Sequence, residues 1–554
     1  MHCTLAKAMP LEQEFDLCII GSGPAGLALA HQFLSDEIRI CLIESGRFTP
    51  NKSAQRLNKG ENRGIYYDLE ESRCRAIGGT LHMWQGTVAP LDPIDFEKRE
   101  WIPNSGWPID AETMRPWYQE AASLLGISAH QSWFDGLPEQ MMQEIRRFGI
   151  PPATFSPKPF ISLKMQVEPL CQQLYRPVLS SSRLLCLSEA TATELIESEQ
   201  GGRIEAAAVS SLCGRHRATL RAKRFVVCAG GLETPRLLLN SRCRSARGVG
   251  NEYDVVGRYF MDHPRLRSSV IVTPNSNRAG VLRQISLGRY GAKSGFTLAP
   301  ALQQAQRIAN HNLFIGAASF DVERLALKAL RWLRPRRSAL VQPVMAKAMP
   351  DTLTVATTDV EQRSRTAGNG TQSGSRNRAV RILRRVWRAT PVRLRVGIED
   401  LISKQRFERM TFITKIEQHP NPESRITLSD ETDPLGVPLL RMAWQLTAED
   451  HENIERFHAL ISEQFAEAGF DTSDLTFKGP DGEYFFQDSS HPMGATRMAD
   501  DPRSGVVDAN LKVFSQSNLY LCSSSVFPTG GNANATLTIL ALAIRLGQFL
   551  RSHP

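Results

Sequence analysis

The chain has 554 residues, and at ~150 residues per domain it is long enough for three or four domain-sized units. Hydrophobic residues make up 42% and charged residues 22%, proportions that exclude a largely disordered, collagenous or fibrous chain. Lys plus Arg outnumber Asp plus Glu by 66 to 57, a formal charge of +9 that by itself would suit nucleic acid, an anionic membrane or an acidic ligand. The excess is local, however. Between Arg324 and Arg395 there are 17 Lys/Arg and 3 Asp/Glu, which leaves the remainder of the chain near −5.

The start, MHCTLAKAMPLEQEFD, has no cationic segment followed by an apolar one, and no run of ~18 apolar residues occurs later, so a soluble, cytoplasmic protein is expected. Asp16 to Ile20 is a short apolar run suited to a strand buried on both faces. It leads directly into Gly21-Ser22-Gly23-Pro24-Ala25-Gly26, a G-x-G-x-x-G turn, and a helical pattern from Leu27 to Phe33. In this motif the first glycine makes the tight turn, the second lets a pyrophosphate approach the backbone, and the third packs helix on strand. A second strand, Ile38 to Ile43, ends in Glu44, whose carboxylate is placed for the ribose hydroxyls of an adenosine. Strand, glycines, helix, strand and acid in this order indicate dinucleotide binding without separating NAD from FAD. The 10 cysteines are scattered, with no CxxC pair and no Cys/His ligand spacing. No metal site is therefore indicated, and reduced thiols are expected.

Later segments are more specific. Arg75 to Gly86 reads RAIGGTLHMWQG. Phe225 to Ser241 reads FVVCAGGLETPRLLLNS, Val256 to Pro264 VGRYFMDHP, and Glu417 to Ser429 EQHPNPESRITLS. From His491 the chain runs HPMGATRM and then DPRSGVVDANLKVFSQSNLYLCSSSVFPTGGNANATLTILALAIR. Together these blocks resemble the glucose-methanol-choline (GMC) family of FAD-dependent alcohol oxidases and dehydrogenases. Only about residues 300 to 410 fall outside the resemblance.

The resemblance implies an α/β fold, α+β overall. A discontinuous Rossmann-like FAD-binding domain (11–100, 160–264 and 485–554) would be joined by a connecting or lid region (101–159) to a substrate domain built on an antiparallel sheet with helices (265–484). Gly21, Gly23, Pro24, Ala25, Gly26 and Glu44 would bind the ADP half of FAD. Gly78, Gly79, Trp84 and Gln85 would lie under the flavin ring and diphosphate, with Gln85 near flavin N5. Ala192, Ala229 and Gly230 would border the adenine and ribose. Some relatives attach flavin to a histidine just before the tryptophan. Here that position is Met83, with His82 one residue earlier, so FAD is expected to bind noncovalently. Cys228, in an apolar strand without a neighbouring cation, is expected to be a packed thiol.

Removing a hydride from an alcohol carbon requires a base for the hydroxyl proton, and histidine has a pKa suited to that task. His491, in HPMGATRM, aligns with the family base. Asn534, in Asn534-Ala535-Thr536-Leu537-Thr538-Ile539, aligns with the second site residue, where an amide donates to the substrate oxygen. Asn532 is the rival reading, and Ala535 replaces the family's usual proline. Asn534 and Thr536 would also touch FAD at the start of a helix, Leu537 to Leu550, whose N-terminal end favours negative charge.

Alternation in SSVIVTP and MTFITKIEQ suits antiparallel strands, and Glu449 to Gly469 suits an amphipathic helix. The basic insertion, 322–396, interleaves Arg/Lys with apolar residues in Val322–Leu333 and Val380–Val396 around a polar linker, Gln362–Asn377. Such helices pack on their own protein or lie on an anionic membrane surface, here with Trp332 and Trp387 at the interface. No nucleic-acid module accompanies the charge. The resulting expectation is oxidation of a sugar, polyol or aminosugar alcohol, with O2 or another electron acceptor. The alternatives are a GMC-fold lyase or decarboxylase, and a flavin-binding partner protein at a membrane.

Overall fold

The computed structural model describes residues 2–8, 13–127, 149, 151, 153–163, 167–269, 271–272, 285–287, 290–317 and 409–553. The basic insertion, with the helices and linker expected in it, lies outside the described residues.

Phe15–Ile20 and Ile40–Ile43 are buried strands that pair in parallel. They lie in a sheet ordered 184–188, 40–43, 15–20, 217–227, with Leu519–Leu521 on the far side of the last strand. Runs such as LCII and ICLI suit this position because both faces of the sheet are covered. The helix after the glycine turn is Pro24–His31, beginning three residues earlier than the apolar pattern suggested. Proline at its first position, preset for helical φ and needing no N–H partner, accounts for the earlier start. The C-terminal helix Thr536–Ser552 packs against it. Ala190–Glu197, Ile204–Ser211 and the first half of Arg217–Val227 form an antiparallel meander.

A second, antiparallel sheet is ordered 265–267, 409–415, 312–317, 290–298, 155–162, 87–88. It takes two strands, 87–88 and 155–162, from upstream of the segment expected to build it, because Ile161 and Ser162 pair with Val88 and Thr87. Its strands alternate. Leu266, Phe412, Leu313 and Phe296 face the amphipathic helix Ala448–Glu467, meeting Ile454, Phe457, Ile461 and Phe465 in a separate core. The intervening residues, Arg265, Lys415 and Asn312 among them, point the other way. A third, three-stranded sheet joins Gly60–Gly64 to Arg425–Thr432 and Pro438–Trp444.

One buried ion pair ties these parts together. Arg99 donates through both terminal nitrogens to Glu417, at 2.8 and 2.6 Å, and the two side chains are 1% and 0% exposed. Glu417 also accepts the Asn310 N–H at 2.7 Å and the Gly531 N–H at 3.2 Å. Burial alone would raise this carboxyl, but the guanidinium and the N–H donors hold it down at about 2. Arg99→Met leaves the carboxylate buried without its cation and should destabilise the fold by about 3–5 kcal/mol. Thermal denaturation checks this; a midpoint unchanged from the parent would show that water reaches Glu417.

Candidate active site

The glycine turn has the geometry its spacing implies. Gly21 has φ +104°, open to glycine at little cost. A Cβ on Gly26 would sit 1.9 Å from the Gly21 carbonyl oxygen, so this glycine sets the helix-to-strand packing. A Cβ on Gly23 would meet nothing within 4 Å, and the same is true at Gly230. These two positions face open space. Gly79 packs on Gly23 (its Cβ would lie 2.8 Å from the Gly23 Cα), and the Gly78 N–H donates to the Ser22 carbonyl.

One continuous cavity of about 220 Å³ is walled by Gly21, Gly23, Pro24, Ala25, Glu44, Gly79, Ala192, Ala229, Gly230, His491 and Thr536. Gly26, Gly78, Trp84, Gln85 and Asn534 are outside that wall. Gln85, expected at the reacting end, is exposed. Met83 is also exposed, at 44%, and His82 bonds to the Ile77 carbonyl at 2.8 Å. Cys228 is buried, and burial together with Cys522 pushes its thiol well above the usual range, as suits a packed side chain.

The donors around the cavity suit a dinucleotide. Three helices begin on it, after Gly23, Ala229 and Ala535, and none has a side-chain cap. Helices starting after Asp110 and Thr447, away from the cavity, are capped by their own side chains. Uncapped N–H groups at a helix start are available to phosphate or to an anionic ring edge. At the other end Glu44 is 7% exposed and held by the Ser22 N–H, the Ser22 hydroxyl and the Gly46 N–H at 3.1, 2.7 and 2.9 Å. Each carboxylate oxygen keeps acceptor capacity for a ribose hydroxyl. Arg75, which also lines the cavity, is fixed by Glu233 and Ser45 at 2.7 and 3.1 Å.

His491 lies at the far end beside a residue not singled out from the sequence. Its Nδ1 is 3.0 Å from Nδ1 of His263, whose Nε2 is 2.9 Å from the Gly531 carbonyl oxygen and 3.2 Å from that of Gly530. Carbonyls only accept, so His263 Nε2 carries a proton, and in the neutral ring its Nδ1 must accept from His491. The proton of neutral His491 is thereby fixed on Nδ1, leaving a lone pair on Nε2. Burial first, then Lys415, holds His263 down at about 4, and the same two causes keep His491 well below its usual value. Asp262, His263 and His491 have ligand atoms within 4.8 Å of one another. The Asp262 carboxylate accepts the N–H groups of His263, Ser489 and His491 at 2.6, 3.0 and 3.1 Å, which fixes the main chain on either side of the two rings.

Asn534 accepts at Oδ1 from the Lys415 ammonium at 2.5 Å. An ammonium only donates, so the Asn534 NH2 is turned away from it and left to donate elsewhere. The rival, Asn532, is fully buried and donates to Asp92 at 3.1 Å. His263 and Lys415 both stood in quoted segments, VGRYFMDHP and MTFITKIEQ. Only the fold brings them to His491 and Asn534.

A parallel sheet with uncapped helix starts, a buried carboxylate and a neutral histidine around one cavity is an arrangement suited to a dinucleotide-binding oxidoreductase. N- and C-terminal family profiles, each described as GMC oxidoreductase, match residues 172–265 and 420–543. The chain belongs to the GMC oxidoreductases, FAD-binding enzymes that act on alcohol groups. It is 25% identical over 333 residues to the fructose dehydrogenase large subunit of Gluconobacter japonicus, a match spanning 58% of this chain and 46% of that subunit. It is 22% identical to 6'''-hydroxyparomomycin C oxidase of Streptomyces lividus, over 98% of this chain and 92% of the relative. Among solved structures, pyridoxine 4-oxidase from Mesorbium loti shares the fold, with TM-score 0.57 and 16% identity over 98% of this chain and 100% of that one.

Gly23→Val fills the open cradle without a clash in the unliganded chain. It should fold with an unchanged thermal midpoint yet purify without flavin, as absorbance would record. The histidine pair predicts a pH effect on stability as well. Both rings titrate below the unfolded value of about 6.5, so the unfolded chain takes up protons first and stability is lost as pH falls from about 6.5 toward 4. Because Asp262, raised to about 7 by burial, titrates in the opposite sense, the check is the difference between two proteins: from pH 6.5 to 5 the parent should lose more thermal midpoint than a His263→Gln variant.

Proposed function

We propose that this chain oxidises a primary or secondary alcohol of a sugar, polyol or aminosugar to the carbonyl, using noncovalently bound FAD. The observation that carries this reading is the His263–His491 contact in the wall of the cavity, which leaves the lone pair of neutral His491 on Nε2, with Lys415 acting on both His491 and Asn534. FAD supplies the hydride acceptor when bound.

The protein's own groups do the rest. His491 Nε2 takes the hydroxyl proton as the alcohol oxygen gains charge. The Asn534 amide donates to that oxygen and orients the carbon. The uncapped start of Thr536–Ser552 favours negative charge at its end of the cavity. Relatives named for fructose and an aminoglycoside support a carbohydrate-like alcohol. The acceptor that completes turnover is O2 or another oxidant. Exposed Met83 and a His82 ring bonded to the main chain support noncovalent binding.

His491→Ala should retain FAD but lose about 10²- to 10⁴-fold in the anaerobic rate at which substrate removes bound-flavin absorbance. An unchanged rate would refute the base assignment. In the parent enzyme His491 stays neutral down to pH 6.5, so loss of that rate through protonation of His491 should appear only below 6.5. Acid denaturation should release all the flavin into the supernatant.

A further inference from the structure

We propose that the alcohol taken by this site carries an anionic oxygen group, a carboxylate or a phosphate monoester, held by Arg265 and Lys415 on the antiparallel sheet. This deepens, and rests on, the alcohol-oxidation reading above.

The geometry begins with the strand register. Arg265 and Lys415 are directly opposite each other in an antiparallel ladder, and Asn312 lies opposite Lys415 on its other side. Opposed residues share a face with Cβ atoms ~4.5–5.5 Å apart, and like charges in that relation repel. Among the described residues no carboxylate forms an ion pair with either cation, and Asp262 offsets the charge repulsion on Lys415 only in part. Among the described residues the Lys415 ammonium bonds only to Asn534, and the Arg265 side chain has no hydrogen bond or ion pair, its Nε being buried without a partner. Carboxylates in the neighbourhood are already engaged. Asp92 pairs with Lys158 at 2.9 Å, Glu417 with Arg99, and Asp262 accepts three main-chain N–H groups. Burial also pushes Asp262 up to about 7, which weakens it further as a counter-charge.

Two further features indicate a ligand. Asn312 is 0% exposed, yet both polar atoms of its amide lack partners, the signature of a group that awaits one. The Lys415 ammonium lies 5.6 and 5.8 Å from the ring centroids of Phe314 and Phe160, so apolar walls stand beside the charge. A carbon skeleton against the rings, an anionic group on the two cations and a hydroxyl at His491 would satisfy every one of these groups. An oxyanion suits a guanidinium fork in particular. Burial, with Arg265 adding to it, holds Lys415 down at about 7, so anion binding should draw a proton onto it. A polycationic aminoglycoside, the type of substrate named in one relative, would meet like charge here.

The test uses FAD-loaded enzyme under anaerobic conditions with two matched series. These are glucose, glucuronate, glucose 6-phosphate and glucosamine, and glycerol, glycerate and glycerol 3-phosphate. Binding is read from perturbation of the bound-flavin spectrum and reaction from its loss. In at least one series an anionic member should bind roughly tenfold or more tighter than the neutral one. Carboxylate and phosphate members separate the two sources. Arg265→Gln and Lys415→Met should each remove most of that advantage while FAD content stays unchanged, and Arg265→Lys should retain part of it. Neutral or amino compounds binding as tightly as the anions in both series would overturn the proposal, as would an anion preference that survives both substitutions. Should alcohol oxidation itself be the wrong reading, no compound removes the absorbance, yet the order of binding still decides the charge question.

Discussion

Glu417 is the carboxylate on which the arrangement of His263, His491, Lys415 and Asn534 depends. Its four contacts reach Arg99, Asn310 and the Gly531 N–H, segments far apart in the chain. The consequence passes along the main chain. Gly531, at φ +55°, offers its carbonyl to His263, which fixes the proton on His491. Two residues before Glu417, Lys415 orients Asn534. A misplaced Glu417 would therefore disturb both His491 and Asn534.

The cavity follows a complementary logic. Main-chain N–H groups at helix starts are usually satisfied by a capping side chain. Three helices facing the cavity forgo this, while Asp110 and Thr447 cap helices elsewhere. The protein thus leaves a set of fixed positive dipoles for a negatively charged cofactor, and the glycines keep Cβ atoms out of its path. Beyond the cofactor cavity the site is again electropositive, through side chains this time. Burial first, with Lys415 and Arg265 adding to it, depresses His491 and keeps it neutral. The same charges that would seat an anion also bear on the protonation of His491.

The dinucleotide motif was readable because its parts are contiguous. Gly21, Gly23, Gly26 and Glu44 lie close together in sequence, and their local backbone geometry is the one a G-x-G-x-x-G turn followed by a second strand requires. The family resemblance extended this to His491 and Asn534 by alignment. Gln85 and Trp84 stand outside the cavity wall, Gln85 exposed and Trp84 packed on the core, because a loop's side-chain direction depends on what packs around it. The second sheet recruits 87–88 and 155–162 because strand pairing is decided by register across hundreds of residues, which alternation within one segment does not encode.

The sequence by itself determined the fold class, the cofactor type and the candidate base, since these reside in short motifs whose physics is local. Its +9 suggested an anionic partner and traced chiefly to the basic insertion. Tertiary structure alone decided the proton position on His491 and the facing of Lys415 against Arg265, because each depends on hydrogen bonds and strand register between distant segments. Sequence charge could be counted without the fold; which charges lack a partner could not.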